Sequence, residues 1–247
     1  MIIQEKDPGF PLSIIIPVLN EEKALPEALA SLDRQEDPPA YEVVLADGGS
    51  TDGTVARFRQ WAGSRTPHRR VGRCLACPRA GRATQMNMGA RAASGKALLF
   101  LHADTRLAPG ACRGIMQALI DPSVVGGAFR HRFLERGLLL GLISFWATTR
   151  SRLWGIHLGD QAMFARQASF EAIGAFQEVP LFEDLRLSRA LRARGRVITL
   201  PLSVATSARR LRQAGTLRMA LRYASLELRH AFGADPARLR DEYPDLR

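Results

Sequence analysis

Residues 13–18, SIIIPV, are followed at 21–35 by EEKALPEALASLDRQ, in which Leu25, Leu29 and Leu32 recur at helical spacing. The first stretch is short, β-branched and apolar throughout, the pattern of a strand covered on both faces. The second predicts a helix that recrosses such a strand. The same pairing then repeats. Residues 42–46 (EVVLA) predict a second buried strand, and 54–61 a helix with Val55, Phe58 and Trp61 turned inward. Residues 71–76 and 84–93 give a third strand and helix, and 97–103 (ALLFLHA) a fourth strand. Each parallel return needs a crossover, so this alternation predicts an α/β chain, with a mostly parallel sheet and helices on both faces.

Beyond Pro109 the order changes. Expected there are a helix at 111–120, a half-exposed strand at 126–133 (GGAFRHRF) and an apolar helix at 138–152. A short strand at 160–164, a helical turn at 169–173, a helix at 183–194 and a strand at 197–200 follow. The segment 216–232 puts Leu217, Leu221, Ala224 and Leu228 on one face, with Arg218, Arg222 and Arg229 mostly elsewhere, as in a basic amphipathic helix.

The chain has 247 residues, of which 46% are apolar and 24% charged, enough for one full domain and no obvious second. Those values exclude a disordered, collagen-like or disulfide-scaffold protein. The longest apolar run, 138–147, is too short to span a bilayer and contains Gly141 and Ser144. Glu5, Lys6 and Asp7 stand where a signal peptide needs apolar residues, so a cytoplasmic location is expected. Three cysteines fit a reducing compartment. Cys74 and Cys77 form a lone CxxC, either a zinc or redox pair or two small strand residues. The net charge of +11 is concentrated late in the chain: between Asp184 and Glu227 lie 10 Arg and no acid. Phosphate-rich ligands or an anionic membrane surface suit such a region.

In an open α/β sheet, ligands bind beyond the carboxyl ends of the strands. Four polar groups fall at those ends: Asn20-Glu21, Asp47, Arg79–Arg82 and His102-Ala103-Asp104. Each alone is also explained as a turn or a helix cap. Together they point to a shared pocket. Asp47, followed by glycines, suits hydrogen bonds to a base N–H or to ribose hydroxyls. Asp104 ends an apolar strand, where a carboxylate is costly without a cation; a divalent ion bridging it to a diphosphate meets that need. Arg79 and Arg82 would hold phosphate or cap the next helix, which Gln85 and Asn87 open.

The ordered segments IIIPVLNEE, VVLADGGSTDGT, GRATQMNMGA and LFLHADTRL resemble the nucleotide-binding half of family 2 glycosyltransferases with the GT-A fold. LGDQAMFARQ (158–167) and LFEDLRLSRALRARG extend the resemblance to the acceptor half, over roughly 12–205. It implies a Rossmann-like single domain, 1–247. Its parts would be a nucleotide-binding half (12–107), an acceptor half (108–205) and a basic helical C-terminal segment (206–247). It implies that Pro17, Asn20 and Glu21 line the nucleotide site, with Gly48, Arg79, Arg82, Asn87 and Ala103 as further candidates, and that Asp47 contacts the base. It makes Asp104 the metal-binding end of a DXD-type motif, with Mg or Mn as cofactor. Glu183-Asp184 matches the family's acidic pair, whose second member is the usual base. The implied reaction is inverting transfer from a nucleoside-diphosphate sugar, UDP- or GDP-linked, to an acceptor hydroxyl. Two departures stand out: His102 replaces the first acid of DXD, and Gly48 the second acid of the commoner DDGS.

Other readings attach to single residues. Glu183 and Asp184 also fit a helix N-terminus that favours acids. Asp160 and Gln161 are candidates to orient donor sugar or acceptor, or a polar loop. Trp154 would stack on a sugar or fill the core. Arg209 and Arg210 would fold over the diphosphate or form a solvated basic face. The run 138–147 and the helix 216–232 either pack on the domain or meet a membrane leaflet and a lipid-linked acceptor. The alternative function is a degenerate nucleotide-binding or membrane-peripheral scaffold without turnover. A dehydrogenase is disfavoured because no GxGxxG follows a strand. A nucleic-acid module is disfavoured because aromatic residues are not interleaved with the basic ones.

Overall fold

The computed structural model describes residues 10–64 and 69–242. Glu5, Lys6 and Asp7 and the side chain of Arg210 lie outside the described residues. Strands β1 (Leu12–Val18), β2 (Tyr41–Asp47) and β3 (Arg70–Ala76) alternate with helices α1 (Leu25–Asp33), α2 (Thr54–Gly63) and α3 (Arg82–Ala92). Then come β4 (Ala97–Phe100), β5 (Thr105–Arg106), α4 (Ala111–Ala118), β6 (Val124–Phe133) and α5 (Leu138–Trp154). The chain continues through β7 (Phe164–Arg166), α6 (Gln167–Ala172), α7 (Glu183–Arg194) and β8 (Arg196–Thr206). It closes with α8 (Arg209–Gln213), α9 (Thr216–Ala231) and α10 (Pro236–Glu242).

One eight-stranded sheet runs β3-β2-β1-β4-β7-β6-β8-β5. β1 to β4 are parallel, β7 runs against both β4 and β6, and β8 is again parallel to β6. Successive side chains of a strand point to opposite faces, and both faces of β1 are covered. Leu12, Ile14, Ile16 and Val18 join the core under α1, α2 and α4. Ile15 joins Met86, Ala90 and Phe100 under α3 and α7. That double burial is why the run is apolar without alternation. In register, Val18 lies beside Asp47 and Asp47 beside Ala76, so three strands end at one level.

Four expected elements differ in a boundary by more than two residues. The helix expected from residue 21 starts at Leu25, because the Glu21 N–H is bonded to Thr54 Oγ1 at 2.8 Å and ties that segment to the loop before α2. The strand expected to reach 103 stops at Phe100, and the turn beyond it is closed by Thr105 N–H donating to the His102 carbonyl at 3.1 Å. Residues Gly159–Gln161, expected to open a strand, form a single 3-10 turn before β7, ended by Ala162 with a left-handed φ of 50°. The strand expected to stop before Pro201 runs on to Thr206. A bulge absorbs the proline, since Phe129 pairs with Leu200 but Arg130 with Ser203.

Candidate active site

At the aligned strand ends lies a cleft of about 560 Å³. Pro17 lines it near the end of β1 and Glu21 just beyond, Arg79 and Arg82 ahead of and at the start of α3, and His102, Ala103 and Asp104 after β4. The opposite wall is built from residues 178–181 and Glu183, with Tyr223 of α9 and Arg240 of α10. Seven sequence-derived candidates are thus brought together, from four separate chain segments. A smaller cavity of about 170 Å³ shares Asp104 and adds Lys23, Arg106, Ser207 and Arg209. Arg209 and Asp104 therefore line the same small cavity.

Asn20, Asp47 and Gly48, expected in the nucleotide site, lie at the strand ends but are not among the residues lining this cleft. Asn20 takes a left-handed φ of 56°, and its Oδ1 accepts the Thr51 N–H at 2.8 Å. The Asp47 carboxylate accepts the Ser50 N–H at 3.0 Å and the Ser50 hydroxyl. The turn reading of Asp47-Gly-Gly-Ser is thus realised, and it fixes the carboxylate at the strand end. Gln85 explains Gly48. Its amide donates to the Val18 and Ala46 carbonyls at 2.8 and 2.7 Å, tying β1 to β2. A Cβ at residue 48 would stand 3.0 Å from that amide, so the second acid of DDGS would displace Gln85.

Glu183 and Asp184 begin α7. Arg82 Nη1 reaches Glu183 Oε1 at 3.2 Å, an ion pair joining the α3 and α7 walls. Asp184 Oδ2 accepts the Gly159 N–H at 2.8 Å, and Oδ1 the Leu185 N–H at 2.7 Å. Burial pushes Asp184 up to about 7; the neighbouring Glu183 charge adds to this, while the Gly159 N–H and Arg82 oppose it. Gly159 is needed at its position. A Cβ there would come within 2.9 Å of His102 Cε1 and 3.3 Å of Asp184 Oδ2. His102 and Asp184 therefore flank one backbone segment, although 82 residues separate them. The residue before the acidic pair, Phe182, holds a left-handed φ of 66°. Its ring stacks on His230 of α9, with centroids 4.7 Å apart, which braces a conformation unfavourable for a bulky side chain.

Several candidates are placed elsewhere, and these are corrections. Asn87 is buried on the inner side of α3, where its amide clamps both the carbonyl and the N–H of Phe176 at 2.9 Å. Gln161 is fully buried: its Oε1 accepts from Ser151 and from the Leu158 N–H, and its amide donates to the Phe129 carbonyl. Neither lines the cleft, because every polar end is committed to the fold. Trp154 is exposed at the end of α5, edge-on to Trp146 and outside the cavity walls. The Asp160 carboxylate stands 3.5 Å from His131 Nε2. Gln85, Gly159, residues 178–181, Tyr223 and Arg240 were not singled out as site residues from sequence. Gln85 alone had a local signal, as a polar residue in the first turn of a helix at a strand end.

Asp104 is the carboxylate at the β4 end, and among the described residues no group of three His, Cys, Asp or Glu is assembled to hold a metal ion. That donor set suits a Mg or Mn ion that keeps water and shares its coordination with a diphosphate, not one caged by protein alone.

A family model described as glycosyl transferase family 2 matches residues 13–174. The chain belongs to that family, and its architecture is that of GT-A glycosyltransferases. A mannosyltransferase from Pyrobaculum calidifontis, solved with GDP-Man and Mn2+, aligns with 85% of the chain and 63% of its own, at 24% identity and TM-score 0.66. S. aureus TarS 1-349, solved with UDP-GlcNAc, aligns over 79% of this chain and 58% of that one, at 18% identity and TM-score 0.59. The uncharacterized glycosyltransferase YfnE of Bacillus subtilis (strain 168) is 41% identical over 49 residues, 20% of this chain and 12% of that protein. The chain thus spans a minor part of that relative and less than two thirds of these solved chains.

Proposed function

We propose that the cleft binds a nucleoside-diphosphate sugar and transfers its sugar, with inversion, to an acceptor hydroxyl. The observation that carries this reading is the convergence of Arg79, Arg82, Asp104 and Glu183 on one cleft, with Asp184 next to Glu183 and bonded to the Gly159 N–H. Nucleotides in the related structures, GDP-Man and UDP-GlcNAc, support a donor with a GDP or UDP leaving group. Arg79 and Arg82 would face its phosphates, and Asp47 its base or ribose. Asp104 would hold Mg or Mn against the diphosphate, which lends positive charge to the leaving group.

Asp184 is the base. As the acceptor oxygen attacks the anomeric carbon, its proton passes to the Asp184 carboxylate and the bond to the diphosphate breaks with its electron pair. A group that titrates near neutral pH is suited to take and release that proton. Glu183, neutralised by Arg82, keeps the pair from carrying two unbalanced charges. The acceptor would approach along residues 178–181, Tyr223 and Arg240.

Thermal unfolding with UDP, GDP, ADP, CDP and dTDP, each with and without Mg or Mn, tests the reading. One diphosphate should raise the midpoint only with metal, and Asp104→Ala should abolish the rise. No rise with any of them would favour the degenerate scaffold without turnover.

A further inference from the structure

Both apolar helices left open by the sequence expose one apolar side. α5 exposes Leu138, Leu142, Phe145, Trp146 and Leu153 on one side, with Phe145 69% and Trp146 56% accessible. α9 packs with Met219 and Leu226, and leaves Leu217, Leu221 and Leu228 outward, each about 60% accessible. The expected apolar face of that helix is therefore its outer face. The two helices pack on each other, and Arg150 makes hydrogen bonds of 3.1 and 3.0 Å to the two Glu227 oxygens across the contact. Exposed apolar area on this scale marks an interaction site.

We propose that these faces of α5 and α9 dock on an anionic lipid bilayer surface. The charge of the surroundings selects that occupant. α5 contains no carboxylate, and the Glu227 carboxylate, the one acid of α9, is bonded to Arg150. Arg136, Arg152 and Arg218 are exposed close by along the same helices. Leucine with tryptophan and phenylalanine on one side, and arginine around it, is the composition of a helix lying in the headgroup region. A second copy of the chain fits worse, because it would bring a like-charged surface against this one, each copy carrying +11. Among the described residues no helix is long and apolar enough to cross a membrane, so contact would be at the surface. α9 also gives Tyr223 to the cleft wall, so a lipid-borne acceptor would arrive at the cleft that Glu183 lines. That last step rests on the transferase reading; the docking does not.

Co-sedimentation of the full chain with vesicles tests it. Binding is expected to phosphatidylcholine vesicles containing phosphatidylglycerol at low salt, weakening as salt rises and weaker without the anionic lipid. Leu142→Ser with Phe145→Ser should cut binding about tenfold. Arg152→Glu should weaken it on anionic vesicles only, with thermal midpoints unchanged in both variants. No sedimentation at low salt, wild-type binding by the double variant, or a dimer in ultracentrifugation that the double variant dissolves would each overturn the proposal. Nucleotide-induced stabilisation in the same preparations reports on the donor site separately.

Discussion

On the proposed reading, Asp184 would serve as base through its surroundings more than its position in the chain. Its carboxyl is raised to about 7 chiefly by burial, from an ordinary 3.8. Transfer should accordingly increase with pH through that region, as the base loses its proton. Stability has the opposite sign. Between the ordinary carboxylate range and about 7 the native state keeps a proton that the unfolded chain has released, so stability falls as pH rises across that window. Asp184→Asn should remove this fall in a series of thermal midpoints. It should lower the transfer rate by about 10²–10⁴ while leaving nucleotide binding intact. Gly159→Ala tests the same geometry from the backbone. Its methyl would press on His102 and Asp184, and a displacement on the order of 1 Å should cost about 10²-fold in rate. An unchanged rate in that variant would separate the Gly159 contact from catalysis.

At the level of elements, the Arg82–Glu183 ion pair joins the α3 and α7 sides of the cleft. Arg82→Ala leaves the buried Glu183 carboxylate without that guanidinium, and should destabilise by about 1–3 kcal/mol in urea unfolding. Arg82→Ala with Glu183→Gln should recover part of the loss. The single variant should also move the pH dependence of transfer upward, because Arg82 favours ionised Asp184. How readily an element could be read from sequence depended on its local pattern. β1, β2 and α2 were legible because burial on both faces or on one stripe leaves a short period in the sequence. β8 was cut short because Pro201 ends an ideal strand, and only pairing with β6 shows that a bulge absorbs it. α9 showed its amphipathic stripe plainly, yet periodicity does not say whether the stripe meets protein or solvent.

The whole molecule works as a sheet whose first half presents a row of strand ends and whose second half closes over them. The proposed sharing of a metal ion between Asp104 and a diphosphate predicts that Mn alone leaves the thermal midpoint where it was. Mn with the matching nucleotide should add about 2.7 kcal/mol at a hundredfold excess over the dissociation constant. A shift with Mn alone would mean that more protein ligands assemble than Asp104. Sequence by itself determined the α/β class, the parallel first half and the strand-end candidates, because a parallel sheet puts the ends of its strands at one edge whatever the loops do. Tertiary structure alone decided which polar residues serve the fold. Asn87 and Gln161 look like ligands in one dimension, but each has its hydrogen bonds taken by buried backbone. It alone set Asp184 beside His102 and Gly159, and Tyr223 and Arg240 on the wall. Such contacts join residues far apart along the chain; they come from how helices and strands pack, which no local period records.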